Sequence, residues 1–105
     1  MNNFDLKNKV AVVTGGAQGF GYSITERFIL SGAKVIIWDI DSEMLEKAVK
    51  ELDNPNLSSN TVDVSNYQEV EVCINNIIKN SNIDILINNA GITGPTAPLW
   101  EYDVG

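Results

Sequence analysis

The chain has 105 residues, 44% of them apolar, a formal net charge of −7 and no histidine. That length fits one small domain, and the acidic balance argues against nucleic acid or an anionic membrane surface as a partner. No apolar run reaches the roughly 20 residues that span a bilayer, Met1 to Leu6 carries no signal-peptide core, and a lone Cys73 excludes an internal disulfide and a cysteine-based zinc site; the expectation is a cytoplasmic protein without a metal centre.

Residues 9–14 (KVAVVT) form a β-branched apolar run without alternation, the pattern of a strand buried on both faces of a parallel sheet. Glycines at 15, 16, 19 and 21 follow at once. A helix is expected over about 20–31: Ile24, Phe28 and Ser31 share one side, and Gly32 stands where a helix end wants a left-handed residue. Lys34–Asp39 (KVIIWD) reads as a second buried strand ending in a carboxylate, with Trp38 in the core. Ser42–Leu52 reads as a second helix, with Leu45, Ala48, Val49 and Leu52 as its apolar stripe. Residues 53–60 read as a polar loop around Pro55, and 61–64 as a short third strand. Ser65 and Gln68 match a capping box that opens a third helix. Its stripe is Val70, Cys73, Ile74, Ile77 and Ile78, which makes Cys73 a small buried hydrophobe. Residues 83–87 read as a fourth strand closed by Asn88-Asn89-Ala90-Gly91, and 92–105 as loop. The order β-α-β-α-β-α-β predicts an α/β fold with a parallel sheet and right-handed crossovers.

The segment Thr14-Gly15-Gly16-Ala17-Gln18-Gly19-Phe20-Gly21 falls at a strand-to-helix junction. A diphosphate needs two things there: a backbone it can approach without meeting a Cβ, and the free N–H groups of a helix N-terminus. Gly15 is expected to make the tight turn, Gly19 to let the chain approach the diphosphate, and Gly21 to allow close helix–sheet packing. The alternative is a glycine-rich turn with no ligand, and the strand–turn–helix setting weighs against it. Asp39 ends the second strand 18 residues after Gly21, which suits a carboxylate accepting from an adenosine ribose. Its charge would repel a 2′-phosphate, and no Lys or Arg stands in the glycine loop or directly after it, so NAD is favoured over NADP. Asp63 and Val64 take two readings equally well. The carboxylate receives an adenine amino group with Val64 against the ring, or Asp63 ends a strand and helps start the helix at Ser65. Asn88-Asn89-Ala90-Gly91 lies where open α/β sheets bind ligands; taken alone, it reads as a turn.

Thr14-Gly15-x-x-x-Gly19-x-Gly21, Asp39, Asp63-Val64 and Asn88-Asn89-Ala90-Gly91 together resemble, in order and spacing, the motifs of the short-chain dehydrogenase/reductase family. The resemblance runs over essentially the whole chain from about Leu6. Residues 94–102 are similar to the substrate-side loop of 3-oxoacyl-carrier-protein reductases and sugar or polyol dehydrogenases. The resemblance implies the N-terminal portion of a Rossmann-type doubly wound sheet with strand order 3-2-1-4. In the complete enzyme it implies NAD(P)-dependent hydride transfer between an alcohol and a ketone, carried out on a small substrate by a homo-oligomer. It places Gly15, Gln18, Gly19, Phe20 and Gly21 at the diphosphate, and Asp39 and Ile40 at the adenosine ribose. Asp63 and Val64 would flank the adenine, and Asn89, Ala90 and Gly91 would lie along the nicotinamide-side ribose.

The family's catalytic set is an Asn, a Ser and a Tyr followed four residues later by Lys, all of it beyond residue 105. Tyr22 has Glu26 at that spacing and Tyr67 has Glu71, while Tyr102 precedes the family's fifth strand. The expectation is a cofactor-binding portion, 1–105, truncated before the catalytic residues, inactive by itself and exposing an apolar edge at its fourth strand. The rival expectations are a stand-alone NAD-binding module without catalysis and a regulatory fragment that pairs with full-length subunits.

Overall fold

The computed structural model describes residues 6–89. Their elements are β1 (Val10–Thr14), α1 (Gly19–Leu30), β2 (Lys34–Asp39), α2 (Ser42–Leu52), β3 (Leu57–Thr61), α3 (Tyr67–Ile78) and β4 (Ile85–Asn88). All three ladders are parallel, and the order across the sheet is β3-β2-β1-β4, the order the resemblance implied.

Successive side chains of a strand point to opposite faces, and here each face has its own helix layer. Val13, Val35, Ile37 and Leu57 pack with Ile29 of α1 and with Leu45 and Ala48 of α2. Val12 and Trp38 pack with Val70 and Ile74 of α3, together with Val62 and Ile83. A strand covered on both sides has no wet face, which is why β1 is buried at all five positions and shows no polar alternation.

β2 and α2 have the bounds expected of them. The third strand does not. It occupies Leu57–Thr61, inside the stretch read as loop, and the expected strand at 61–64 overlaps it only at Thr61. Leu57 is its one buried apolar side chain. What holds β3 is the backbone ladder to β2, from Val35 opposite Leu57 to Asp39 opposite Thr61. The segment starts where Asn54 Oδ1 accepts the Asn56 N–H at 2.9 Å.

Three smaller corrections follow the same logic. The buried seam of α1 is Gly21, Thr25 and Ile29, with Ile24 and Phe28 half-buried beside it and Ser31 serving as the C-cap. A glycine and a threonine carry no hydrophobic signal, yet both face the sheet, and Thr25 satisfies its hydroxyl by donating to the Gly21 carbonyl at 2.9 Å. In α3, Cys73 is half-buried and Ile78 is exposed, so the stripe narrows to Val70 and Ile74 with Cys73 and Ile77 along its margin. The fourth strand begins at Ile85, because Asp84 turns its side chain back on the sheet. Asp84 Oδ2 accepts the Val10 N–H at 2.9 Å, and the Asp84 N–H donates to the Val10 carbonyl at 2.9 Å.

Asp84 therefore clamps β4 to the start of β1. Replacing it with Ala leaves the N–H of the buried Val10 without its acceptor, which should cost about 1–2 kcal/mol. In thermal unfolding of the 105-residue chain, the midpoint should fall by about 4–8 °C per kcal/mol, and Asp84→Asn should recover most of the loss. Equal midpoints for Asp84→Ala and the parent would remove the clamp from the account.

Candidate functional site

At the carboxyl edge of the sheet, the ends of β1, β2 and β4 and the segment after β3 enclose a cleft of about 510 Å³, within the size range of small-molecule sites. Of the residues singled out in the sequence, Gly15, Gln18, Asp39, Ile40, Asp63, Val64 and Asn89 line it. Gly19, Phe20 and Gly21 stand beside it in the first turn of α1. Ala90 and Gly91 lie outside the described residues. Trp38, Val62 and Ser65 also line the cleft, and sequence reasoning assigned none of them to it.

The first wall is the β1–α1 turn. Gly15 takes φ +64°, and its N–H donates to the Trp38 carbonyl at 2.7 Å, which ties the turn to β2. Gly19 takes φ +58° with nothing within 4 Å of where a Cβ would stand. Its backbone conformation favours glycine, and the space beside it is open. Gly21 answers to crowding instead: a Cβ there would run into the Gly15 carbonyl and stand 2.6 Å from Asn89 Nδ2. Gly16, given no role from the sequence, packs as tightly, with a Cβ position 2.5 Å from Ile37 Cγ2.

The N-terminus of α1 differs from those of the other helices. Asp41 caps α2 and Asn66 caps α3, each accepting two backbone N–H bonds, and each of those helices has a glutamate in its first turn. In α1 the N-cap Gln18 makes no side-chain capping bond, and no acidic residue occupies the first turn. The leading N–H groups and the positive end of the helix dipole are thereby offered to an external anion.

The second wall is the end of β2. Asp39 is only 8% exposed. Its Oδ1 accepts the Asp41 N–H at 3.1 Å, while its Oδ2 is closed to solvent and has no partner among the described residues. Burying a carboxylate oxygen without a donor is costly, so this atom fits a ligand that brings hydroxyl donors. Ile40, next in the chain, is 67% exposed at the cleft.

The third wall follows β3. Val62 continues the ladder by donating its N–H to the Asp39 carbonyl at 3.0 Å, and this carries Asp63 and Val64 beyond the sheet. Asp63 Oδ1 accepts both the Ser65 hydroxyl at 2.6 Å and the Ser65 N–H at 3.0 Å. Those two bonds, the hydroxyl first, hold the Asp63 carboxyl below its ordinary value of 3.8. Ser65 is therefore the partner in an Asx-type turn and not the helix cap. The cap is Asn66, whose Oδ1 accepts from the N–H groups of Gln68 and Glu69. Asp63 lies two residues past the end of β3, lines the cleft and organises the turn into α3.

The fourth side is the end of β4. The Asn89 N–H donates to Thr14 Oγ1 at 2.8 Å, and the Thr14 hydroxyl lies 3.0 Å from Asn88 Oδ1. Thr14 thus sets the spacing between the two strand ends at the mouth of the cleft. A glycine-lined turn with left-handed backbone at Gly15 and Gly19, an open helix N-terminus and a buried carboxylate oxygen without a partner among the described residues together fit a ligand carrying phosphate and sugar.

Elsewhere the described residues offer little chemistry. They contain no group of three or more potential metal ligands and no helix long and apolar enough to cross a membrane. The Cys73 thiol is pushed up by burial and, secondarily, by Glu69, which leaves little thiolate for reaction.

The model of the short-chain dehydrogenase family matches residues 9–103, and the chain belongs to that family. Among curated relatives it is 36% identical over 97 residues to a 2-dehydro-3-deoxy-L-rhamnonate dehydrogenase (NAD(+)) of Sphingomonas sp. (strain SKA58), covering 91% of this chain and 38% of that one. It is 41% identical over 92 residues to a 3-oxoacyl-(acyl-carrier-protein) reductase of Chlamydia trachomatis, covering 84% and 37%. Among solved structures, the 3-ketoacyl-(acyl-carrier-protein) reductase from Brucella melitensis complexed with NADH superposes with a TM-score of 0.70 at 33% identity, over 77% of this chain and 33% of that one. The chain spans less than half the length of each of these relatives.

The Ser65–Asp63 bond gives a measurable sign. A carboxyl that titrates lower folded than unfolded stabilises the fold above pH 3.8, and that contribution is lost as the pH falls below 3.8 through the folded value. Ser65→Ala removes the larger of the two bonds. The Asp63 midpoint, followed by carboxyl carbon NMR, should then rise toward 3.8. A midpoint that does not move would take the hydroxyl out of the explanation.

Proposed function

We propose that the cleft binds NAD, and that within a complete enzyme it serves hydride transfer between the nicotinamide and the carbon of a small alcohol or ketone. The observation that carries this reading is Asp39, a buried carboxylate with one oxygen bonded to its own turn and the other left for a donor. In this reading Gly15, Gln18, Gly19, Phe20 and Gly21 hold the diphosphate against the open end of α1. Asp39 Oδ2 takes hydroxyl bonds from the adenosine ribose, with Ile40 alongside. Asp63 and Val64 flank the adenine, and Asn89, followed by Ala90 and Gly91, runs along the other ribose. A 2′-phosphate would set negative charge against Asp39, which supports NAD over NADP. The relatives named for NAD(+) and NADH lend the same support.

The dinucleotide, when bound, supplies the hydride. This chain binds and orients it. The group that handles the substrate proton lies outside these 105 residues in this proposal, because Tyr22 and Tyr67 are followed four residues on by Glu26 and Glu71 and not by lysine. The small-molecule substrate and the homo-oligomeric assembly belong to the complete enzyme.

Titration calorimetry of the 105-residue chain should show saturable NAD binding and weaker NADP binding. Asp39→Ala should weaken NAD by about 10- to 150-fold, the equivalent of about 1.5–3 kcal/mol for bonds to a charged acceptor, and should narrow the gap to NADP. An Asp39→Ala chain that binds NAD as the parent does would overturn the assignment. Ketone-dependent oxidation of NADH by the pure chain would overturn its inactivity.

A further inference from the structure

Ser65 lines the cleft together with Asp63, and it is not the cap of α3, which is Asn66. Both of its donors go to one atom. The Ser65 hydroxyl at 2.6 Å and the Ser65 N–H at 3.0 Å reach Asp63 Oδ1. The backbone of Asp63 is held as well. Its N–H donates to Glu69 Oε1 at 3.3 Å, and its carbonyl accepts the Asn66 N–H at 2.9 Å. Asp63 thus commits its N–H, its carbonyl and Oδ1 to the turn into α3, and Oδ2 is the polar atom that those bonds leave. A carboxylate on a turn can otherwise rotate, and two bonds to one oxygen fix where the other stands. The same two bonds hold the Asp63 carboxyl below its ordinary value, so at neutral pH Oδ2 accepts and has no proton to give.

We propose that Ser65 is a positioning residue of this cleft, and that it holds the Asp63 carboxylate so that Oδ2 accepts an amino group on the edge of the bound base. The inference rests on the dinucleotide reading above and adds the residue that sets its preference for an amino-bearing purine. Val64, on the same wall, offers apolar surface to the face of such a base. An ionised carboxylate only accepts, so the wall favours a base edge that carries an amino group over one that carries hydrogen or a carbonyl there. Ser65 acts on that choice through Asp63. A carboxylate already fixed by two bonds loses little freedom when the ligand arrives, whereas a free one has to be ordered at that moment.

The test compares adenosine monophosphate with purine riboside monophosphate, which has hydrogen in place of the exocyclic amino group. Calorimetry is run on the parent chain, on Ser65→Ala, Ser65→Thr and Asp63→Ala, and on the chain carrying both alanine substitutions. The parent should bind adenosine monophosphate about tenfold more tightly than the analogue, the scale of one net hydrogen bond. Ser65→Ala should weaken adenosine monophosphate by about two- to tenfold, the equivalent of ordering one side chain, and should leave the analogue unchanged. Ser65→Thr keeps the hydroxyl and should keep the parent's preference. Asp63→Ala should lose the preference, and adding Ser65→Ala to it should change nothing further. A merely structural serine would instead weaken both nucleotides alike. In the ¹⁵N-labelled parent, the Ser65 amide resonance should move further with adenosine monophosphate than with the analogue, because a donor at Oδ2 draws charge from the oxygen that this amide serves. That measurement decides the matter even if Ser65→Ala does not fold. Equal affinities of the parent for the two nucleotides, a preference that survives intact in Ser65→Ala, or equal losses for both would overturn the role of Ser65. So would equal movements of its amide, and each of these leaves dinucleotide binding standing. A parent chain that binds neither nucleotide removes both.

Discussion

The carboxyl edge of the sheet depends on hydrogen bonds that continue the ladders past the last paired residues. The Gly15 N–H reaches the Trp38 carbonyl, and the Val62 N–H reaches the Asp39 carbonyl. The Asn89 N–H ends on the Thr14 hydroxyl, so between β1 and β4 a side chain takes the place of a backbone acceptor. These three bonds locate the glycine turn, the segment after β3 and the end of β4. Residues distant in sequence share a cleft because the central strands extend their pairing by one more step. The buried interiors of β1 and β2 give that edge its rigidity, since neither strand can shift register without moving its side chains to the wrong layer.

The sequence was most legible where one physical demand acted alone. β2 and α2 have the bounds expected because a buried run and an amphipathic stripe each dominated their segments. β3 was misplaced because an edge strand can be held by its backbone while its side chains stay polar. Leu57 is the only position at which its composition speaks for burial. The start of α3 was misread for a different reason. Two capping patterns overlap by one residue, Ser65 with Gln68 and Asn66 with Glu69, and composition does not choose between them. Asp63 chooses, by engaging Ser65 and leaving the cap to Asn66.

The same reasoning separates the cleft residues that the sequence singled out from those it passed over. Gly15, Gly19 and Gly21 were legible because a required left-handed backbone or a forbidden Cβ leaves glycine as the residue that fits. Asp39 was legible because a carboxylate at the end of an apolar strand is conspicuous. Gly16 was overlooked because its demand comes from Ile37, across the turn on another strand. Trp38 and Val62 were overlooked because an apolar residue in a strand or at its end satisfies a core reading completely. Only three-dimensional structure reveals that a residue at the edge of the core is also a wall of the cleft.

The charge of the chain sharpens what must hold an anionic ligand. The protein carries −7 overall, and the cleft is lined by two carboxylates with no lysine or arginine among its described lining residues. Long-range electrostatics therefore opposes the approach of a diphosphate, and no cationic side chain on the lining repays its desolvation. In the proposed reading, the attraction comes from dipoles fixed at short range: the uncapped N–H groups of α1 and the backbone of the turn that Gly15 and Gly19 shape. Such dipoles act only if the ligand reaches the backbone itself, and a side chain on the turn would hold it off. The proposed reading thus ties the missing cation to Gly15 and Gly19, while Gly16 and Gly21 answer to crowding by Ile37 and by the Gly15 carbonyl. A site that held phosphate without positive side chains would have to expose its main chain, and at this strand-to-helix junction Gly15 and Gly19, with their left-handed backbone and no Cβ, are the residues that expose it.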